Sequence, residues 1–281
     1  MSRTSIQWSM FTKPWPQLPI AELADLVAGM GFDAIEFPLR PGFQIDLDEL
    51  PQSAVRASSI LADAGLRIAS VASTPSEPVF GACADLGIPV IRIMAPLAAA
   101  GYTASDAELP RYLDSLVPSC ERFGVRVGIQ PHIDDYIADS LELANLLADY
   151  DPTHICAVWD SAHDALARKP PAHTLPALWS HLAVVNFKNA CYEPAGRRPD
   201  GSRVWKTEFV AGADGLGDWS EAADTLVDGG FAGNICMAAE FTDETDLEHK
   251  VARDFAYLQS LLAASEARAA AVGTQEAEHR A

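Results

Sequence analysis

Basic residues are scarce in this chain. Lys and Arg number 20 against 39 Asp and Glu, which gives a formal net charge of −19. Affinity for nucleic acid depends on neutralising phosphates with Lys and Arg, and anionic membranes make the same demand. We therefore expect neither a nucleic-acid partner nor a membrane partner.

Other patterns are missing as well. The five cysteines are dispersed and form no C-x-x-C pair, which argues against a disulfide framework and a thiolate zinc site. No 18 apolar residues run together, and the N-terminus carries no apolar leader segment. The expectation is a cytoplasmic protein with reduced, mostly buried thiols.

The chain instead contains a repeated pattern of a short apolar run followed by an amphipathic helical stretch. This alternation is typical of parallel βα units. The predicted strands are residues 5–11, 33–37, 67–72, 90–94, 125–130, 155–159, 182–188 and 234–240. A doubly wound open sheet is the alternative, but no G-x-G-x-x-G follows the first strand. Eight units in 281 residues predict an α/β fold of the (β/α)8 TIM-barrel type.

The domain organisation follows from the same pattern. Residues 1–262 are predicted to form one TIM-barrel domain, and the Ala/Glu-rich segment 263–281 a frayed C-terminal tail. The polar segment 190–217, rich in Arg, Pro and Gly, is predicted to be a long loop after the seventh strand. Loops at this end of a barrel surround the active site, which makes the segment a candidate lid.

Polar side chains end four successive predicted strands. Their positions are Gln130 and His132, Asp160 and His163, Asn186 and Lys188, and Glu240. Alternation along a strand places each of the pairs Gln130/His132 and Asn186/Lys188 on one face. An isolated Asp or His in such a position is often only a helix cap. Together, these residues predict one active-site mouth that can ligate a hard cation or move protons.

The order of these motifs resembles the xylose isomerase-like barrels, the sugar phosphate isomerase/epimerase group. The resemblance rests on Gly31-Phe-Asp-Ala-Ile-Glu36, Gln130-Pro-His132, Asp160-Ser-Ala-His163, Asn186-Phe-Lys188-Asn189, Gly215-Leu-Gly217-Asp-Trp219 and Glu240, and it covers nearly the whole chain. It implies a carbohydrate substrate and isomerase or epimerase chemistry, and it leaves assembly into a homo-oligomer open.

The resemblance also implies a divalent metal, held in that family by Glu, Asp, His and Glu. Asp160 and Glu240 match two of these positions, whereas Gln130 stands where Glu is usual and Asn186 where His is usual. Amide oxygens can coordinate Mg²⁺ or Mn²⁺, so the predicted metal ligands are Gln130, Asp160, Asn186 and Glu240. Losing a carboxylate weakens the electrostatic hold on such an ion.

The same substitution affects the predicted mechanism. The resemblance implies epimerisation by two carboxylates on opposite faces of the substrate, and Gln130 cannot ionise. His132 is the predicted base because an unperturbed imidazole titrates near pH 6.5. We expect His132, with Glu240 and Lys188, to remove a proton next to a carbonyl of a sugar or keto-sugar. The enediolate then yields isomerisation, or loses a β-substituent in a lyase or dehydratase reaction.

Four further residues are predicted to contact the substrate, and each has a structural alternative. Glu36 and Arg40 could bind hydroxyls or an acid group, or form an ion pair at the rim. Trp15 could stack on a sugar face, although core packing is the commoner fate of Trp. The fourth is His163.

Two other function classes remain open at this stage. The fold also occurs in apurinic-site endonucleases, but the acidity of the chain and its few metal ligands argue against them. A sugar-binding or partner subunit without catalysis is the second class, and the amides of Gln130 and Asn186 favour it.

Overall fold

A computed structural model describes residues 6–279, with only the helical backbone for 273–279. Within this range, parallel strands alternate with helices along the chain. The barrel strands are β1 (Gln7–Phe11), β2 (Ala34–Pro38), β3 (Arg67–Ala72), β4 (Val90–Met94), β5 (Arg126–Gln130), β6 (Ile155–Asp160), β7 (Leu182–Phe187) and β10 (Asn234–Met237). They close into a barrel in which β10 pairs with both β7 and β1. The predicted (β/α)8 TIM-barrel fold is confirmed.

Helices follow the strands and cover the outside of the barrel. They are α1 (Ile20–Gly29), α2 (Leu50–Asp63), α3 (Glu77–Leu86), α4 (Tyr102–Phe123), α5 (Ser140–Leu147), α6 (Ser161–Leu166), α7 (Pro171–Leu178), α8 (Trp219–Asp228) and α9 (Leu247–His279). Gly87 and Gly124 end α3 and α4 with φ near +67° and +66°, a backbone conformation that glycine adopts without strain. In residues 6–279 no helix is both long and apolar enough to span a membrane.

Alternating side chains divide the strands into two packing surfaces. Outward residues such as Ile129, Trp159 and Phe187 are fully buried beneath the helices. Inward residues form a smaller cluster that fills the barrel interior, namely Phe11, Ala72, Val158, Val184 and Cys236. The two-residue period therefore directs every second side chain to the barrel axis.

Two segments differ from the sequence predictions. Residues 190–217 do not form one open loop, because β8 (Asn189–Arg197) and β9 (Arg203–Val210) pair as an antiparallel hairpin. Strand β10 ends at Met237, and Ala239 has a φ of +52°, so Glu240 follows a turn instead of ending the strand.

The segment 263–281, predicted as a tail, continues α9 as far as His279. Its independence from the barrel remains a prediction.

The cysteines agree with the sequence expectation. All five are free thiols, and Cys83, Cys120, Cys156 and Cys236 are buried. Burial raises the pKa of Cys83 to about 12, which keeps this thiol protonated and unreactive. These cysteines therefore act as small apolar residues of the core.

Gly128 is an inward position of β5 where the barrel has no room for a side chain. A Cβ there would lie 2.9 Å from methyl carbons of both Val90 and Val158. We predict that Gly128→Ala lowers the free energy of unfolding by about 1–3 kcal/mol, the usual effect of overpacking, as measured by urea denaturation. Gly29→Ala is the control, because nothing lies within 4 Å of that position. Equal stability of the two variants would contradict this view of the interior.

Candidate active site

The predicted polar residues meet inside the barrel at the carboxyl ends of its strands. Strand pairing places Asp160 beside Asn186 and Glu36 beside Ser70. Glu36 and Asp160 are fully buried, and Gln130, Asn186 and Lys188 are nearly so. Polar side chains from most of the barrel strands therefore lie in one inward-facing layer.

These groups bond to one another in sequence around the barrel. Arg92 Nε donates to Glu36 Oε1 over 2.7 Å, and Arg92 Nη1 donates to the side-chain oxygen of Gln130. The amide nitrogen of Gln130 in turn donates to Asp160 Oδ2. We call the whole set the charge network; its members are Glu36, Arg92, Gln130, Asp160, Lys188 and Glu240.

Lys188 occupies the centre of the charge network. Its Nζ lies 3.1 Å from Glu240 Oε2, 3.0 Å from His163 Nε2 and 3.4 Å from Asp160 Oδ2. Burial acts to lower the pKa of Lys188, but the charges of Asp160 and Glu240 outweigh it and raise this pKa above its ordinary value. Lys188 is therefore a permanent cation that donates to Glu240 and His163 and forms an ion pair with Asp160.

Glu240 lies between two lysines. Lys188 contacts Oε2, and Lys13, from the loop after β1, donates to Oε1. Burial favours the neutral acid, yet Lys188 and Lys13 dominate and lower the pKa of Glu240 to about 2. At neutral pH Glu240 is an ionised, weakly basic carboxylate that has no proton to give.

His163 is fully buried between Lys188 and His132. Burial lowers the pKa of His163 well below its ordinary value, and the positive charge of Lys188 lowers it further. The imidazole is therefore neutral and accepts at only one nitrogen. Both the Lys188 ammonium at 3.0 Å and the Ile133 N–H at 3.3 Å point to its nitrogens. We assign the lone pair to Nε2, because the Lys188 ammonium is charged and lies nearer than the Ile133 N–H.

His132 is half-buried, and its ring centroid is 4.1 Å from that of His163. Its Nδ1 lies 2.8 Å from the backbone oxygen of Ile133. A carbonyl oxygen can only accept, so the proton of the neutral ring resides on Nδ1. The lone pair is then on Nε2, which makes that atom the basic one.

A cavity of about 670 Å³ opens beside this site, over the loops that follow β2, β3 and β4. Arg92 and Tyr136 belong to its wall, and the Tyr136 ring also packs against His132 with 5.2 Å between centroids. Arg40 lines the same cavity, and within the described part of the chain its guanidinium contacts no carboxylate or other acceptor. Burial and the nearby charge of Arg92 lower the pKa of Arg40.

The structure brings most of the predicted site residues together. The His132 ring packs against His163, which contacts Lys188 of the charge network. Glu36 is held within the network by its hydrogen bond from Arg92. Arg40 lies on the cavity wall, whereas Trp15 is half-buried and packs against the hydrophobic core. Sequence reasoning missed two residues, Arg92 and Lys13.

The base of the hairpin completes the site. The ring of Phe209, near the end of β9, lies 5.0 Å from Lys188 Nζ and packs against His163. Asn189, at the start of β8, bonds to backbone atoms of Gly212 and Gly217. A Cβ at Gly215 would lie 2.2 Å from Asn189 Oδ1, so the Gly-Leu-Gly motif permits this close packing.

The donor set does not fit the predicted divalent metal. Gln130 presents its oxygen to Arg92 and its amide nitrogen to Asp160, and so offers no free oxygen. Asp160 Oδ1 accepts from the backbone N–H groups of Ala162 and His163, while Lys188 faces its Oδ2. Among residues 6–279, no three His, Cys, Asp or Glu side chains are placed to hold a metal ion.

The geometry is that of a parallel barrel with its polar site at the carboxyl ends of the strands. A sequence model of the family described as xylose isomerase-like TIM barrel matches residues 24–261. The chain belongs to this family. No curated protein matches the chain in a sequence search.

Solved structures of similar fold include enzymes of several kinds. One is D-psicose 3-epimerase with D-tagatose, from Clostridium cellulolyticum H10 (TM-score 0.68, 12% identity, 92% of this chain and 99% of that chain). Another is a probable 3-DHS dehydratase from Bacillus anthracis (0.67, 15%, 90% and 99%). A xylose isomerase-like TIM-barrel protein from Mycobacterium smegmatis was solved in complex with magnesium (0.67, 15%, 93% and 97%). At these identities the likeness concerns the fold.

The buried pair of Glu36 and Arg92 provides a test of the charge network. Truncating Arg92 leaves a fully buried carboxylate without its cation, so Arg92→Met should lower the free energy of unfolding by about 3–5 kcal/mol. The double variant Glu36→Leu/Arg92→Met removes both charges and should recover part of this loss. Urea denaturation of the two proteins measures the difference. A double variant less stable than Arg92→Met would contradict the pairing.

Proposed function

We propose that this protein is a sugar isomerase-type enzyme that removes a proton from the carbon next to a carbonyl of a sugar or keto-sugar. The observation that carries the proposal is the state of His132. Its Nδ1 is bonded to the Ile133 carbonyl, which leaves Nε2 as a base beside the charge network. The epimerase and dehydratase of similar fold support this reaction class.

In this proposal His132 is the catalytic base and His163 a positioning residue. The His163 ring packs against His132 on one side and is held by Lys188 on the other. This contact fixes the plane of the His132 ring. A positioned imidazole of this kind contributes about 10²–10⁴-fold to the rate of proton transfer.

Lys188 supplies positive charge for the enediolate. Its Nζ already contacts Glu240, His163 and Asp160, so its contribution is electrostatic, exerted from the buried side of the site. Glu240 remains ionised and binds a substrate hydroxyl as an acceptor. No step is assigned to a metal ion, because the predicted ligand oxygens of Gln130, Asp160 and Glu240 already face N–H donors.

A single base has a stereochemical consequence. Gln130 has no proton to exchange, and the low pKa of Glu240 makes it a poor acid, so neither of these two positions supplies a proton to the opposite face. Return of the proton by His132 to the neighbouring carbon gives isomerisation. Loss of a β-substituent from the same enediolate gives the lyase or dehydratase reaction, which is the alternative. A sugar-binding subunit without catalysis would give neither.

The experiment is proton exchange in D₂O, followed by NMR, across a panel of ketoses, keto-sugars and 3-oxo-glycosides. We expect deuterium incorporation next to the carbonyl of a substrate. His132→Ala should lower kcat about 10²–10⁴-fold with little change in KM, because the base acts in the transition state. His249→Ala, at an exposed position, is the control. Exchange that persists in His132→Ala would remove His132 from the mechanism.

Arg40 gives a test of the substrate class. An unpaired guanidinium on the cavity wall suits an acid group better than a neutral hydroxyl. Arg40→Gln should therefore raise KM for sugar acids more than for neutral sugars, with kcat little changed. Arg56→Gln, in which an exposed Arg is altered, is the control. An equal effect on both substrate classes would leave Arg40 without a role in recognising acids.

A further inference from the structure

Asp160 and Glu240 are the two positions of this chain that match metal-binding carboxylates. The group that lies between them is the ammonium of Lys188, with Nζ 3.4 Å from Asp160 Oδ2 and 3.1 Å from Glu240 Oε2. His163 Nε2, 3.0 Å away, is the third acceptor. A cation thus already has two carboxylates and one imidazole around it.

We propose that the Lys188 ammonium is the resident cation of this site and replaces the divalent metal implied by the family resemblance. The oxygens around Lys188 support this assignment one by one. Both carboxylate oxygens of Glu240 face lysines, those of Asp160 face N–H donors, and that of Gln130 faces Arg92. Within the described residues, Asn186 Oδ1 is the one predicted ligand oxygen that lacks a donor.

The charges of the site lead to the same result. Three carboxylates, those of Glu36, Asp160 and Glu240, are in direct contact with three cations. Those cations are Arg92, Lys188 and Lys13. A divalent ion added to this balanced and largely buried set would leave two positive charges without partners, and uncompensated buried charge is strongly unfavourable. Removing Lys188 would instead leave negative charge uncompensated, because Asp160 then lacks its cation and Glu240 retains only Lys13.

The substitutions at the other two family positions fit this exchange of cations. A Glu at position 130 would place a second negative charge beside Asp160, and Gln130 instead offers Asp160 a hydrogen bond. A lysine contributes one positive charge where a metal contributes two, so a site built around lysine needs fewer negative ligands. Gln130 meets that need, and Asn186 leaves the charge unchanged, because Asn and the usual His are both neutral ligands.

The test compares metal binding by the wild type and by Lys188→Ala. Each protein is purified without chelator, analysed for bound metal, and melted with Mn²⁺ or with EDTA. The wild type should hold far less than one metal ion per chain, and its Tm should be the same in Mn²⁺ and EDTA. Mn²⁺ should raise the Tm of Lys188→Ala by about 5 °C, because the carboxylates of Asp160 and Glu240 then lack the Lys188 cation. Lys206→Ala, which removes an exposed lysine paired with Glu208, should show no Mn²⁺ effect.

Two results would overturn the proposal. One is a stoichiometric divalent ion in the wild type, and the other is a Mn²⁺-dependent rise in Tm as large for the wild type as for Lys188→Ala. The wild-type measurements suffice if Lys188→Ala does not fold. Metal content and Tm do not depend on turnover, so this inference and the proposed function fail separately. Where D₂O exchange is observed, its rate should be unchanged by EDTA.

Discussion

The contact of the Lys188 ammonium with Asp160, Glu240 and His163 is the interaction on which the rest of the site depends. It places a cation against both carboxylates, and together with burial it lowers the pKa of His163, which packs against His132. Asp160 then orients Gln130, and Gln130 links to Arg92 and Glu36. Because Glu36, Arg92, Gln130, Asp160 and Lys188 are all buried, removing any of them leaves its neighbour's charge or dipole without compensation.

The barrel makes this arrangement possible by its two-residue period. Inward positions lower in the barrel are small or apolar, such as Gly128, Val158 and Val184, and the next inward position toward the carboxyl end of each of these strands carries a polar group. The apolar layer excludes water from one side of the charge network. Low polarity there strengthens each ion pair, which is why a few charges suffice to fix the geometry.

Most of the fold could be predicted from the sequence, because eight apolar runs and their helices repeat regularly. The hairpin was missed although Pro199-Asp200-Gly201 is a turn signal between two strand-like stretches. Arg92 was missed because it stands in the middle of an apolar strand. In a strand covered by helices on its outer side, a mid-strand Arg must point inward. The sequence therefore did indicate that Arg92 faces the barrel interior. Lys13 lies in a loop, where no periodicity indicates its direction.

Residue types alone could not establish whether Gln130 offers its oxygen to a metal ion. An amide can present either its oxygen or its nitrogen, and the choice for Gln130 is made by Arg92, which the sequence pattern did not reveal as a neighbour. Once Arg92 takes the oxygen, Gln130 becomes a donor to Asp160 and stops being a candidate metal ligand. The same pairing limits the chemistry. In the proposed mechanism Gln130 is neutral and Glu240 is held ionised by two lysines, so proton transfer takes place on the side on which His132 lies, and neither position serves as an acid in the two-carboxylate inversion implied by the family resemblance.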